Sequence, residues 1–321
     1  MTISYELRHY DESDYDAVVS IALAIDPDDF VSVAEIAEWD GIQRQAGRLA
    51  SRWHALADGR VIGSSYAGEL ASLQAGTRWI NVAVYPEHQR RGIGRELLRL
   101  AEGVAVDDGG SVLLAEADDR LLRSARFLEA AGYEEINREW HSTLDLGGFD
   151  DDTWVTIVDG VKASGIGFVS VAELEGSDPA WLDKLHALYT EVEADVPFTL
   201  EFREMPFADF ERRAIRSERA LLHGFLVALD GDRYVGLTEP RRVDDRPEAI
   251  AQELTGVTGT HRGRGIATAL KADVAMWAKI QGYRKIRTGN DSLNAPMLAV
   301  NAKLGFERDH GAIIFLKQAP G

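Results

Sequence analysis

The chain has 321 residues, 45% hydrophobic and 27% charged, a length and composition that predict two domains of an ordinary globular protein. With 53 acidic residues against 35 Lys and Arg, its formal charge is -18, which disfavours nucleic acid and anionic membranes as partners. It has no cysteine, which excludes disulfides, thiolate metal sites and a cysteine nucleophile.

No apolar run reaches the length of about 18 residues needed to span a membrane. The first residues, Met1 to Glu6, lack a basic segment followed by an apolar one. The expectation is therefore a cytoplasmic protein. Histidines such as His186 and His223 have no partner at ligand spacing, so no metal site is expected.

Taken in order, the first half predicts a strand at 5–9, a helix at 13–24 and a further helical stretch. Two strands then flank Asp58-Gly59, a dipeptide suited to a turn with positive φ. A Val-rich strand leads through a glycine loop into a long helix, with Leu97, Leu98, Ala101 and Val104 on one face. A strand at 112–115, a short helix and an alternating strand at 141–146 close the half. Gly147-Gly148 and the acidic run 150–152 mark a boundary, dividing the chain into residues 1–149 and 150–321. A connecting helix fits the residues after it, with Gly160 against it.

The second half runs in the same order. A strand at 165–171 and a helix at 179–193 precede two strands around Asp230-Gly231. A Val-rich strand, a loop and a helix with Leu270, Val274, Trp277 and Ala278 on one face follow. A strand at 285–288, a short helix and a last strand complete it. Mixed strands and helices in this order predict an α/β (α+β three-layer) domain, present twice.

Three landmarks keep one register. Val84, His88, Gly92 and Ile93 match Val257, His261, Gly265 and Ile266, each 173 residues on. The same offset relates Val61-Ile62-Gly63 to Tyr234-Val235-Gly236, and Ala131-Gly132-Tyr133 to Leu304-Gly305-Phe306. The chain reads as a duplication.

The loops explain what is duplicated. A helix start exposes several unpaired N–H groups and about half a positive charge. Glycines allow close approach of an anion, and arginines add charge-assisted hydrogen bonds. Gln89, Arg90, Arg91, Gly92, Ile93, Gly94 and Arg95 form one such cradle. Arg262, Gly263, Arg264, Gly265, Ile266, Ala267 and Thr268 form the other. Neither is the dinucleotide fingerprint nor a nucleotide hydrolase phosphate loop.

Both loops resemble the acetyl-CoA signature of the GCN5-related N-acetyltransferase (GNAT) family, Gln/Arg-x-x-Gly-x-Gly/Ala. Gln89, Gly92 and Gly94 satisfy it in the first half, and Arg262, Gly265 and Ala267 in the second. The resemblance implies two tandem domains, each a mixed, mostly antiparallel sheet flanked by helices, with acetyl-CoA as cofactor. It also implies that the backbones of Val82 and Val84, or Thr255 and Val257, hold the thioester and pantetheine arm beside a splayed strand. The reaction implied is acetyl transfer to the amine of a small molecule.

Glu253 lies four residues before Val257, which on a regular strand places both on one face. It is a candidate general base, with a solvated glutamate at the strand's entry as the alternative. At the same offset the first half has Ile80, which cannot take a proton, so the second half is expected to be catalytic. Many family members carry a tyrosine five residues before the Gly-Phe aromatic. Asn301 and Leu128 stand there, and neither is a general acid. Asn301 and Asn294 are candidate cofactor contacts, and Asn294 also fits a helix N-cap.

An acceptor amine is expected near residues 193–198, Phe202 and Phe207, where acids lie beside aromatics; aromatics packed inward are the bland alternative. The competing reading is a non-catalytic acyl-CoA binder or sensor. Monomer and homodimer both remain open.

Overall fold

The computed structural model of the chain describes residues 4–9, 14–27, 31–244 and 246–319. In chain order the strands and helices begin with β1 (Glu6–His9), α1 (Tyr15–Ile25) and α2 (Val33–Gln45). They continue with β2 (Ala50–Ala57), β3 (Arg60–Glu69), β4 (Thr77–Val84), α3 (Ile93–Asp107), β5 (Val112–Asp118) and α4 (Leu122–Ala130). Next come β6 (Glu134–Asp145), α5 (Asp151–Ala163), β7 (Ile166–Ser170), α6 (Val171–Ser177), α7 (Trp181–Ala194) and α8 (Phe207–Phe210). Last are β8 (Leu226–Asp230), β9 (Arg233–Arg242), β10 (Ala249–Val257), α9 (Ile266–Ile280), β11 (Lys285–Asp291), α10 (Ala295–Leu304) and β12 (Glu307–Gln318). Ser13, the expected start of the first helix, lies outside the described residues. Among those residues no helix is long and apolar enough to cross a membrane.

Two compact units result: Met1–Asn137 with Ala312–Gly321, and Arg138–Gly311. The first has strand order β1-β2-β3-β4-β5-β12, and only β4 and β5 pair in parallel. The second has order β7-β8-β9-β10-β11-β6, and only β10 and β11 pair in parallel. The strand beside β5 in the first unit and the strand beside β11 in the second thus come from the other half of the sequence. Residues 312–318 run along β5, and residues 139–145 run along β11. These limits differ from the cut at 149/150 drawn from the glycines. Both closing strands alternate alike, so their pattern does not say which strand each pairs with.

Local chemistry explains the elements that frame the site. The β2–β3 turn places Asp58 at φ 50° and Gly59 at φ 75°, as hairpin twist demands. Helix α5 forms despite Gly160, which is exposed; Asp150 caps it, and Trp154, Val158 and Val161 are buried in the core shared with α9. Leu97 of α3 and Leu270 of α9 sit equivalently. A Cβ on Gly63 would lie 3.1 Å from the first, and one on Gly236 would lie 3.4 Å from the second. The β3 and β9 glycines therefore let the long helix lie close on each sheet.

Candidate active site

Each long helix begins at a left-handed glycine, Gly92 (φ 89°) and Gly265 (φ 79°), with no side-chain cap. Its first-turn amides are left for an anion. Ile93 and Ile266, each 1% exposed, anchor the turn in the core. A Cβ on Gly94 would meet Phe127 at 3.7 Å, an ordinary contact, and Ala267 stands at that place in the second unit. Thr268 is buried behind the loop.

The first signature residue turns back to its own strand. Gln89 Nε2 donates to the Val84 carbonyl at 2.9 Å, and Arg262 Nε donates to the Val257 carbonyl at 3.3 Å. Its structural work is to tie loop to strand, a role the motif alone does not reveal. Arg262 also pairs with Asp195, and Arg264 lies 3.8 Å from Asp230. These exposed pairs are worth at most about 1 kcal/mol, so phosphate can displace the carboxylates. In the first unit Arg90, Arg91 and Arg95 are exposed, and Arg91 donates to the Glu87 carbonyl.

Beyond the loops, the parallel strands splay. β4 and β5 pair only from Thr77 to Trp79, and β10 and β11 only from Ala249 to Ala251. Past those points each sheet has a slot into which main-chain groups can present themselves to a ligand. In the first unit it contains a small cavity lined by Ile80, Val82, Leu98 and Phe127 among others. In the second, the Thr255 hydroxyl is 2.7 Å from that of Thr238, and Gln252 Nε2 donates to Thr238 at 2.9 Å.

The strands differ at one point. β3 and β4 keep one register from Gly63–Val84 to Glu69–Arg78. β9 and β10 shift between Gln252 and Thr255, which is a β-bulge. Two expectations are corrected by it. Ile80 pairs with Ala67 and Gln252 pairs with Pro240, 173 residues after Ala67, so Gln252 is the counterpart of Ile80. Glu253 falls in the bulge and has no counterpart in β4. Nor does it share a face with Val257, because the extra residue breaks the alternation. Val257 is in the core against α9, whereas the Glu253 carboxylate lies 3.8 Å from Arg213 on the α7 side.

That side carries a cluster the sequence reading missed. Tyr189 of α7 donates to Glu239 at 3.1 Å, and Arg241 lies 3.8 Å from the other Glu239 oxygen. Burial raises the Glu239 carboxyl above its ordinary range against the pull of Arg213 and Arg241. Glu193, in the last turn of α7, is pushed up to about 7 chiefly by burial, and one of its oxygens is buried without a hydrogen bond. Only the spacing of Tyr189 and Glu193 on one helix face hinted at this group. α7 comes so close because β10 has Gly256, where a Cβ would lie 2.3 Å from Val192.

Asn294 caps α10, accepting from the Met297 amide at 3.2 Å, which is the capping role. Asn301 donates to Asn290 at 2.5 Å, is 3% exposed, and has a buried side-chain oxygen with no partner. Phe198 and Phe207 are 39% and 37% exposed and Phe202 is half-buried; Phe207 sets its ring edge-on to His186.

A family model described as the acetyltransferase (GNAT) family matches residues 15–133 and 182–306. Over 114 residues the chain is 28% identical to N-acetyltransferase 8F1 of Rattus norvegicus, covering 32% of this chain and 52% of that protein. The chain thus spans about half the length of that relative. It is 26% identical over 261 residues to a mycothiol acetyltransferase of Geodermatophilus obscurus, covering 78% of this chain and 77% of that protein. A solved tandem GNAT protein from the clavulanic acid biosynthesis pathway shares the fold, with a TM-score of 0.69, 21% identity and 99% of each chain covered.

Proposed function

Because the chain belongs to the GNAT acetyltransferase family, we propose that it transfers acetyl from acetyl-CoA to the amine of a small molecule, in the second unit. The single observation that carries the choice of unit is the β10 bulge, which turns Glu253 onto the α7 side among Tyr189, Glu239 and Arg213. The residues present fit a CoA ligand. The α9 amides and the arginines Arg262 and Arg264 would hold its pyrophosphate, and the unpaired stretch of β10 would hold its pantetheine arm.

Acetyl-CoA supplies the activated acetyl group. The chain's own work is then to bind the amine, orient it and take its proton. Glu253, at the partly exposed edge of this cluster, favours an amine arriving from the α7 side and is the proposed base that frees its lone pair. Glu193, which burial pushes up to about 7, faces the same Arg213 and Glu239. Backbone N–H groups of β10 beside the slot would stabilise charge developing on the acetyl oxygen.

A second reading, binding without chemistry, suits the first unit. Its β4 has no bulge, and its slot cavity is lined mainly by apolar side chains. Thiol release from acetyl-CoA across a panel of polyamines, amino sugars and amino acids tests the proposal. Release that depends on an amine supports it, while tight CoA binding with no release from any amine leaves only the binder.

A further inference from the structure

In the first unit Ile80, Leu98 and Leu128 line one cavity in the slot between β4 and β5. Their counterparts in the second unit are Gln252, Lys271 and Asn301, by strand pairing for the first and by the 173-residue offset for the others. Three apolar side chains are thus replaced by three polar ones. All are deeply buried: Gln252 and Lys271 are 2% exposed and Asn301 is 3% exposed. One side-chain oxygen of Gln252 and one of Asn301 have no hydrogen-bond partner. The Lys271 ammonium has no hydrogen bond or ion pair among the described residues, and lies 5.0 Å over the Phe306 ring.

Buried polar groups without partners are costly, and a core that only needed filling would keep leucine. Leu98 shows that the helix accepts leucine at this place. A lysine here requires a reason, and the slot provides one.

The geometry points to Lys271 as the proton donor to the sulfur that leaves during acetyl transfer, with Gln252 and Asn301 lining the same slot. This rests on the proposed CoA placement. Among the counterparts of the cavity-lining residues, Lys271 is the sole titratable side chain; Glu116 of the first unit is replaced by Gly289.

As the amine nitrogen bonds to the acetyl carbon, the carbon–sulfur bond breaks and its electron pair passes to sulfur. Lys271 gives that sulfur a proton and becomes a neutral amine. The proton shed by the acceptor nitrogen, received first by Glu253, is equivalent to the one that later restores the ammonium through solvent. The products are an amide and a thiol. Burial alone lowers the Lys271 pKa, to about 7, with no charged group on the surrounding elements adding to or offsetting it. An ammonium so poised gives up its proton readily at neutral pH.

The test compares the full-length protein with Lys271→Met, which keeps the volume and whose folding is checked by thermal unfolding. Coenzyme A is bound to each, and ionisation of its thiol is followed by thiolate absorbance. An ammonium facing the sulfur makes the bound thiol about ten-fold more ionised at pH 7 in the wild type than in the variant. Desulfo-coenzyme A, which lacks the sulfur, should bind both equally. With an amine acceptor, Lys271→Met should lower kcat about 100-fold or more with little change in KM for acetyl-CoA.

Identical thiol ionisation in the two proteins, with coenzyme A bound, overturns the role of Lys271 alone. Failure of the wild type to bind coenzyme A overturns the placement beneath it. A wild type that binds coenzyme A with the altered thiol, yet acetylates no amine, sinks the proposed transfer and leaves Lys271 facing the sulfur.

Discussion

Strands β4 and β10 hold the same place in two similar units, yet one is regular and the other carries an extra residue. The regular strand puts Ile80 over its slot, between Trp79 and Asn81, and has no carboxylate of its own there. The bulged strand puts Gln252 over its slot and swings Glu253 to the α7 face. Bulges re-aim side chains at the cost of a local break in pairing. A single inserted residue is therefore enough to separate a regular strand from one that turns a carboxylate toward α7.

The comparison can be broken at several points. Glu253→Gln keeps the shape of the bulge and removes the proposed proton acceptor. Turnover should fall about 100- to 10,000-fold while CoA affinity stays unchanged, measured by thiol release and calorimetry. Unchanged turnover would remove Glu253 from the chemistry.

Gly256→Ala should destabilise the second unit by about 1–3 kcal/mol in urea unfolding, because the new methyl meets Val192 at 2.3 Å. Adding Val192→Ala should restore most of the loss. In β4 the corresponding residue is already Ala83, so the penalty belongs to the closeness of α7 alone.

Lys271→Met should raise the unfolding temperature at pH 7, and the gain should shrink toward pH 10. The folded protein holds the lysine near pKa 7, against an ordinary value of 10.5. Between those values the unfolded chain carries more protons, so wild-type stability rises with pH across that window. A gain independent of pH would show that packing, not charge, sets the effect.

The smallest expected change concerns the loops. Arg90 sits at φ 64°, where the second unit has Gly263 at φ 73°. Arg90→Gly should stabilise the first unit by about 1 kcal/mol or less in urea unfolding.

Much of this was legible beforehand. The duplicated landmarks, the uncapped helix starts and the strand–loop–helix order follow from local glycine chemistry and side-chain periodicity, and the structure has them. The bulge was hidden for a specific reason. The link from β9 to β10, residues 243–248, is one residue shorter than that from β3 to β4, residues 70–76, and the bulge restores the count. The two changes cancel, so landmarks on either side keep the offset of 173 while Glu253 slips past Ile80.

The exchange of β6 and β12 was hidden because strand patterning specifies a buried face and not a partner. Lys271 was passed over because periodicity marks apolar residues, and a buried lysine leaves a gap in the stripe.

The most direct test of the division of labour is steady-state thiol release from acetyl-CoA by Gly92→Asp and Gly265→Asp, run side by side with a responsive amine. Each substitution sets a carboxylate at one helix start and leaves the other intact. Chemistry in the second unit predicts near wild-type turnover for Gly92→Asp and a drop of at least about ten-fold in kcat/KM for Gly265→Asp. Loss of activity in Gly92→Asp with full activity in Gly265→Asp would place the reaction in the other half of the protein.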